Sequence, residues 1–125
     1  MKNYTEFLNG KYISKSNLEF RIFNSLNNLK CEYYIHEHPA LKTVEESKIL
    51  RGKMEGGHSK NLFLRDKKKN NFLITACEDQ KIDLKDLEKK LGTSRLSFGS
   101  PDRLYQFLGV KPGSVSPLAL INDHK

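Results

Sequence analysis

The run Gly56-Gly57-His58-Ser59-Lys60-Asn61-Leu62-Phe63-Leu64-Arg65 constrains this chain more than any other stretch. Leu62-Phe63-Leu64 is a short unbroken apolar run, the pattern of a strand covered on both faces. Lys67 to Asn71 is a polar turn, and Phe72-Leu73-Ile74-Thr75-Ala76-Cys77 adds a second segment rich in large apolar residues. Together they predict an antiparallel hairpin at the centre of a sheet. The two glycines ahead of it let the backbone approach a ligand closely. His58, Ser59, Lys60 and Asn61 therefore stand where a pliable loop enters a rigid strand, with Lys60 and Asn61 at its first positions. Side chains fixed at such a junction are a usual way to build a site. Composition alone reads Lys60 as one more solvated lysine of a lysine-rich chain.

The remaining elements arrange themselves around that hairpin. Residues 1 to 15 hold Tyr4, Phe7, Leu8, Tyr12 and Ile13 around Gly10 and read as an N-terminal arm. Ser16 is placed to cap a helix running through Leu29, with Leu18, Ile22, Phe23, Leu26 and Leu29 on one stripe. Glu32 to Glu37 alternates as a strand, which Pro39 ends. Thr43-Val44-Glu45-Glu46 has capping-box form and predicts a short helix to about Leu50, before Gly52. Asp83 caps a helix carrying Leu84, Leu87 and Leu91; Lys89 and Lys90 favour its C-terminal dipole and Gly92 ends it. Arg95 to Phe98 alternates as a short strand. Ser100-Pro101 starts a helix whose buried side is Leu104, Phe107 and Leu108, closed by Gly109. Val110 to Pro117 reads as a tight preformed loop, because two prolines and a glycine restrict it. Leu118 to Ile121 reads as a last strand. The fold class that follows is α+β, a mixed, mostly antiparallel central sheet flanked by helices, in a single domain over residues 1–125.

Charge narrows the partner. The net charge is +7, and between Lys48 and Lys69 eight Lys/Arg face only Glu55 and Asp66. A basic surface concentrated around one candidate site suggests a polyanion, RNA or a nucleotide. Ordinary solubilising charge is the bland alternative. No run is long enough to span a bilayer, and the N-terminus lacks the apolar segment of a signal peptide, so no membrane partner and a cytoplasmic location are expected. Cys31 and Cys77 stand far apart in no metal or redox spacing and read as reduced packing residues. His36 and His38 share a strand face, but no third ligand has suitable spacing, so no metal and no cofactor are expected.

Several chemistries are set aside by the motifs. There is no phosphate-binding P-loop, no dinucleotide fingerprint and no nucleophile elbow, and the cysteines lack activating neighbours. Two restricted loops remain, Gly56 to Asn61 and Pro112 to Pro117. The second offers backbone amides at Gly113, Ser114, Val115 and Ser116. Amides held in a fixed loop can bind a phosphate or stabilise an oxyanion without reorganising. The same loop reads equally as a compact connection.

Taken together, Gly57-His58-Ser59-Lys60-Asn61-Leu62-Phe63-Leu64-Arg65-Asp66-Lys67-Lys68, Ile82-Asp83-Leu84-Lys85-Asp86-Leu87, Leu91-Gly92, Arg95-Leu96-Ser97-Phe98 and Leu108 to Pro117 resemble the YbaK/prolyl-tRNA-synthetase-associated domain family. The similarity runs in register over roughly residues 30 to 123 and is nearest to the free-standing alanyl-tRNA(Pro) deacylases, ProXp-ala or PrdX. It implies a trans-editing enzyme that hydrolyses the ester joining a wrong amino acid to tRNA. On this resemblance Lys60 is the key pocket residue with Asn61 beside it, and His58 and Ser59 line the pocket. Gly113, Ser114, Val115, Ser116 and Pro117 match the family's Gly-x-x-x-Pro loop against the terminal adenosine and the reacting ester. The implied partners are tRNA(Pro) carrying a small wrong amino acid, with prolyl-tRNA synthetase or an elongation factor as further candidates.

An aminoacyl ester is already activated, so positioning, charge stabilisation and a water suffice without a protein nucleophile. The expected mechanism has the ribose 2′-hydroxyl orient or activate that water, Lys60 anchor the substrate near developing charge, and the loop amides hold the ribose or ester oxygen. Lys48, Arg51, Lys53, Arg65, Lys67, Lys68 and Lys69 are expected to bind the acceptor stem. Family members usually continue beyond Asn122-Asp123, and the chain reads as ending before that segment. A non-catalytic tRNA-binding or regulatory member, or a Cys-tRNA(Pro) deacylase, stays open beside the alanine reading. A generic RNA-binding protein calls for exposed aromatics among the lysines; only Phe63 and Phe72 lie near, and both read as buried.

Overall fold

The computed structural model describes residues 4–8, 17–37, 44–51 and 56–123. The chain forms two compact units, Met1–Gly56 and Gly57–Lys125. It is an α+β protein, and every ladder among the described residues is antiparallel.

In the first unit, β1 (Tyr4–Leu8) pairs with β2 (Tyr33–Glu37), so the segment read as an arm is a strand. Helix α1 (Asn17–Asn28) lies between them, and α2 (Val44–Arg51) follows. The Phe23 ring stacks on Tyr33 at 5.5 Å, and the Tyr33 hydroxyl donates to Asn27 Oδ1 at 2.7 Å. One aromatic pair and one hydrogen bond thus tie α1 to β2. The caps expected at Ser16 and Thr43, the strand end at Pro39 and the side chains of His36 and His38 lie outside the described residues.

The second unit is built on β3 (Ser59–Arg65), which pairs with β4 (Asn71–Cys77) on one side and β5 (Ser97–Phe98) on the other. As the central strand, β3 buries both faces: Phe63 and Leu64 are adjacent in sequence and both buried. The Phe63 ring covers Gly99, where a Cβ would come within 2.4 Å of it. The Gly99 amide donates to the Phe63 carbonyl, which fixes that approach. Helix α3 (Leu84–Leu91) is capped by Asp83, which accepts from the Lys85 amide, and ends at Gly92. Helix α4 (Pro101–Leu108) is capped by Ser100, which accepts from the Arg103 amide, and ends at Gly109. Leu96, Leu104, Leu108, Val110 and Ala119 complete the core.

Two further expectations are corrected. The segment read as a last strand is a 3-10 helix, Pro117–Asn122: Ser116 accepts from the Leu118 amide and Pro117 stands at its start. Asn122 then donates to the Leu108 carbonyl, tying this turn to the end of α4. The cysteines are free thiols but do not pack in a core; both are exposed, Cys31 just before β2 and Cys77 at the end of β4.

The hairpin turn is closed by Asp66, 3% exposed. Its carboxylate accepts from the Asn70 side-chain amide at 3.0 Å and from the Asn70 backbone at 2.8 Å. The Asn70 side chain, against opposing desolvation and with help from backbone amides and Lys68, holds this carboxyl below the usual 3.8. A lowered folded pKa means that Asp66 stabilises fully above the unfolded value and less as pH falls through the folded one. Asp66→Asn is therefore expected to flatten the loss of stability as pH falls below the ordinary carboxylate value of 3.8, read from urea midpoints at each pH. An unchanged acid profile counts against this assignment.

Candidate active site

The hairpin register sets the geometry. Ser59 pairs with Cys77, Lys60 with Ala76 and Asn61 with Thr75. Successive strand residues point to opposite faces. Lys60 thus shares a face with Leu62 and Leu64, whereas Asn61 shares the other with Phe63. The structure brings the two into one strand end but not onto one face.

Each is held by a named partner. The half-buried Lys60 sends its Nζ to the Gln80 carbonyl, in the loop after β4. An ammonium carries three donors, so this bond fixes the group and leaves two. The loop is itself ordered by the Gln80 amide on the Cys77 carbonyl, at 3.0 Å, and by the Glu78 amide on the His58 carbonyl, at 2.9 Å. His58 is half-buried just before β3, and Ser59 is exposed. Asn61 Oδ1 accepts from the Thr75 hydroxyl at 2.7 Å, which leaves its NH₂ group as a donor for other acceptors. Nothing in the sequence marks the Gln80 carbonyl as a partner of Lys60, since any backbone carbonyl 20 residues away looks alike.

The second loop is a tight turn, as its prolines demand. Pro112 and Gly113 are its central residues, Gly113 has φ of 91°, and the Ser114 amide donates to the Lys111 carbonyl at 3.0 Å. Positive φ after proline is the type II arrangement, which needs glycine. One of the four amides is therefore consumed by the turn. Those of Gly113, Val115 and Ser116 make no hydrogen bond among the described residues. Ser116 and Pro117 start the 3-10 helix, so the loop is anchored at both ends.

The basic residues divide between the units. Arg65 ends β3 half-buried, and Lys67, Lys68 and Lys69 are exposed on its turn. Lys69 holds a left-handed φ of 66°, and its carbonyl accepts from Arg103 Nη2 at 2.6 Å while Arg103 Nε donates to Asn71 Oδ1. Lys48 is exposed on α2 of the first unit, Arg51 ends that helix with its side chain outside the described set, and Lys53 lies outside it altogether. The second unit also has two open clefts, of about 900 and 510 Å³, neither lined by Lys60 or by the Gly113–Pro117 loop.

Residues 38–125 match the model of the aminoacyl-tRNA editing domain. The chain is 42% identical over 103 residues to the prolyl-tRNA editing protein ProX of Acetoanaerobium sticklandii, covering 82% of this chain and 63% of that protein. It is 38% identical over 111 residues to mouse prolyl-tRNA synthetase associated domain-containing protein 1, covering 86% of this chain and 66% of that one. The zebrafish protein of the same name is 34% identical over 114 residues, covering 91% and 62%. The chain thus spans a little under two-thirds of these relatives' length. A family match over most of the chain, at identities well above those shared by fold alone, has one consequence: the chain belongs to the aminoacyl-tRNA editing domain family.

Proposed function

We propose that this chain takes part in trans-editing, hydrolysing the ester of tRNA(Pro) charged with a small wrong amino acid, alanine first. The observation that carries the reading is Lys60: an ammonium fixed at the start of a central strand by a backbone carbonyl, with donors left over, in a member of an editing family. Its role is to hold the substrate near the charge that develops on the ester. The loop amides of Gly113, Val115 and Ser116 are donors for the ribose or ester oxygen and need no rearrangement. The ribose 2′-hydroxyl orients or activates the attacking water, so no protein nucleophile is required. Asn61 and His58 act as pocket residues, and the turn lysines meet the acceptor stem. A cytoplasmic setting follows from such a substrate.

A second reading is binding without turnover. It is favoured by the engagement of Lys60 with Gln80, which is also how a structural lysine behaves. One panel separates them: purified chain with Ala-, Ser-, Cys- and Pro-tRNA(Pro), followed by loss of the aminoacyl ester. Editing is expected to give turnover of Ala-tRNA(Pro) far above the buffer rate and above that of Pro-tRNA(Pro). Serine and cysteine are expected within about 10- to 200-fold of alanine, because a pocket discriminates changes of methylene size weakly. Saturable binding with no ester loss supports the second reading and sinks the first.

A further inference from the structure

The two open clefts of the second unit share one residue, Arg95. The larger, about 900 Å³, runs along α3, where Lys85, Glu88 and Lys89 line it, and is closed by Thr93, Arg95 and Leu96. The smaller, about 510 Å³, is lined by Arg65, Asp66, Lys67, Arg95 and Ser97. Arg95 thus stands between the cleft along α3 and the cleft beside the hairpin turn. Five cations line it, Lys85, Lys89, Arg95, Arg65 and Lys67, against two carboxylates. Both carboxylates are already committed: Glu88 Oε1 accepts from the Leu96 amide at 2.7 Å, and Asp66 closes the turn with Asn70. None of the five cations makes an ion pair among the described residues, whereas Lys90, on the same helix, pairs with Asp86 at 3.5 Å and lines neither cleft.

The backbone under these side chains is fixed. The Lys67 amide donates to Ser94 Oγ at 3.1 Å, which locks the turn to the segment carrying Arg95. The Glu88–Leu96 bond locks that segment to α3. Lys85 and Lys89 stand one helical turn apart, about 6 Å along the axis. Unpaired cations on three mutually bonded elements form a preorganised positive track. Such a track is complementary to a polyphosphate backbone, and phosphate contacts position a nucleic acid without reading its sequence.

We propose that α3 and Arg95 form a second tRNA-binding surface, in which Lys85, Lys89 and Arg95 hold backbone phosphates of the substrate's helical arm and extend the footprint of Arg65 and Lys67. This rests on the editing reading above. These are positioning residues: they dock the tRNA and leave the chemistry at the ester untouched.

The test uses the full chain and the variant pair Lys85→Gln/Lys89→Gln, with Arg95→Gln separately and Lys90→Gln as control. All four positions are exposed, so folding is kept and checked by circular dichroism. Binding of uncharged tRNA(Pro) is measured across salt, alongside hydrolysis of Ala-tRNA(Pro) and of a short alanyl-ester of adenosine. The pair is expected to lower the slope of log affinity against log salt by about 1.4 to 1.8. Raising salt from about 50 to about 200 mM then weakens the pair roughly tenfold less than the wild type. KM for Ala-tRNA(Pro) rises, kcat holds, and hydrolysis of the short ester is unchanged. Lys90→Gln moves the slope little. An unchanged slope and KM in the pair, or an equal shift in Lys90→Gln, overturns the surface while wild-type turnover leaves the editing reading standing. Wild type that neither binds tRNA nor hydrolyses the ester overturns both.

Discussion

Lys60→Ala is expected to lower kcat/KM for Ala-tRNA(Pro) by about a hundred- to a thousandfold, the usual loss when one preorganised electrostatic donor is removed from a transition state. The thermal midpoint is expected to fall only modestly, by about 2 to 12 °C. The Lys60 side chain is half-buried, and its bond to the Gln80 carbonyl is at the surface. A solvent-facing hydrogen bond contributes about 0.5 to 1.5 kcal/mol at most, because water replaces it. The large loss and the small one separate catalysis from folding. Lys60→Arg restores the charge but places a planar fork where a compact ammonium sat, so it is expected to recover only part of the rate. Salt adds a further distinction. Loss of a phosphate contact is masked as salt rises, whereas loss of a group acting at the ester persists at every ionic strength. Measurement of single-turnover deacylation at low and high salt checks both points. Activity of Lys60→Ala within a few-fold of wild type removes Lys60 from the mechanism.

Much of the fold around the candidate site is legible in the sequence, for local reasons. Asp83 and Ser100-Pro101 are cap signals that act within four residues, and both cap as their chemistry requires. The hairpin was legible because a short polar turn joins two apolar runs of strand length. What stayed hidden depends on longer range or on ambiguous pattern. Leu118 to Ile121 is a four-residue apolar run, which fits a strand or a buried turn equally. Ser116-Pro117 carries the same start signal as Ser100-Pro101, and it prevails: the run coils, burying Ala119 and leaving Leu118 and Leu120 exposed. The Tyr4–Leu8 strand was missed because its alternation is weak and its partner, Tyr33–Glu37, is distant in sequence. The partners of Lys60 and Arg103 are backbone carbonyls, which no side-chain pattern announces. The opposed faces of Lys60 and Asn61 were implicit in the strand's period of two, yet a motif quoted as a string hides it. The role proposed for Arg95 is not legible in the sequence for a different reason: it rests on one side chain lining two clefts, a relation that spacing does not express.

Leu64→Ala is expected to cost about 2 to 5 kcal/mol, the range for emptying a buried leucine site. Leu64 is 0% exposed, and its strand neighbours Phe72 and Phe98 flank it across β4 and β5. Both partners are backbone-paired at that position, so the sheet cannot close over the lost volume without breaking its ladder. The upper half of the range therefore applies. Against a typical stability of about 5 to 15 kcal/mol, that is a large fraction. For a unit of this size each kcal/mol shifts the midpoint by about 4 to 8 °C, so a drop of more than about 12 °C is expected. Leu91→Ala, at a position 42% exposed on α3, is the matched control and is expected to cost far less. Urea titration of both variants, with an unchanged slope, makes the comparison. The functional consequence inverts that of Lys60→Ala. Leu64 lies four residues along the strand that carries Lys60, on the same face, and touches no substrate in the proposed mechanism. Below its lowered midpoint the Leu64→Ala protein keeps its strand and so its deacylation rate; above it, rate and structure vanish together. A Leu64→Ala protein that stays folded to the wild-type temperature contradicts the view that this strand is the spine of the unit, while one that is stable but inactive transfers the catalytic role to the sheet's interior.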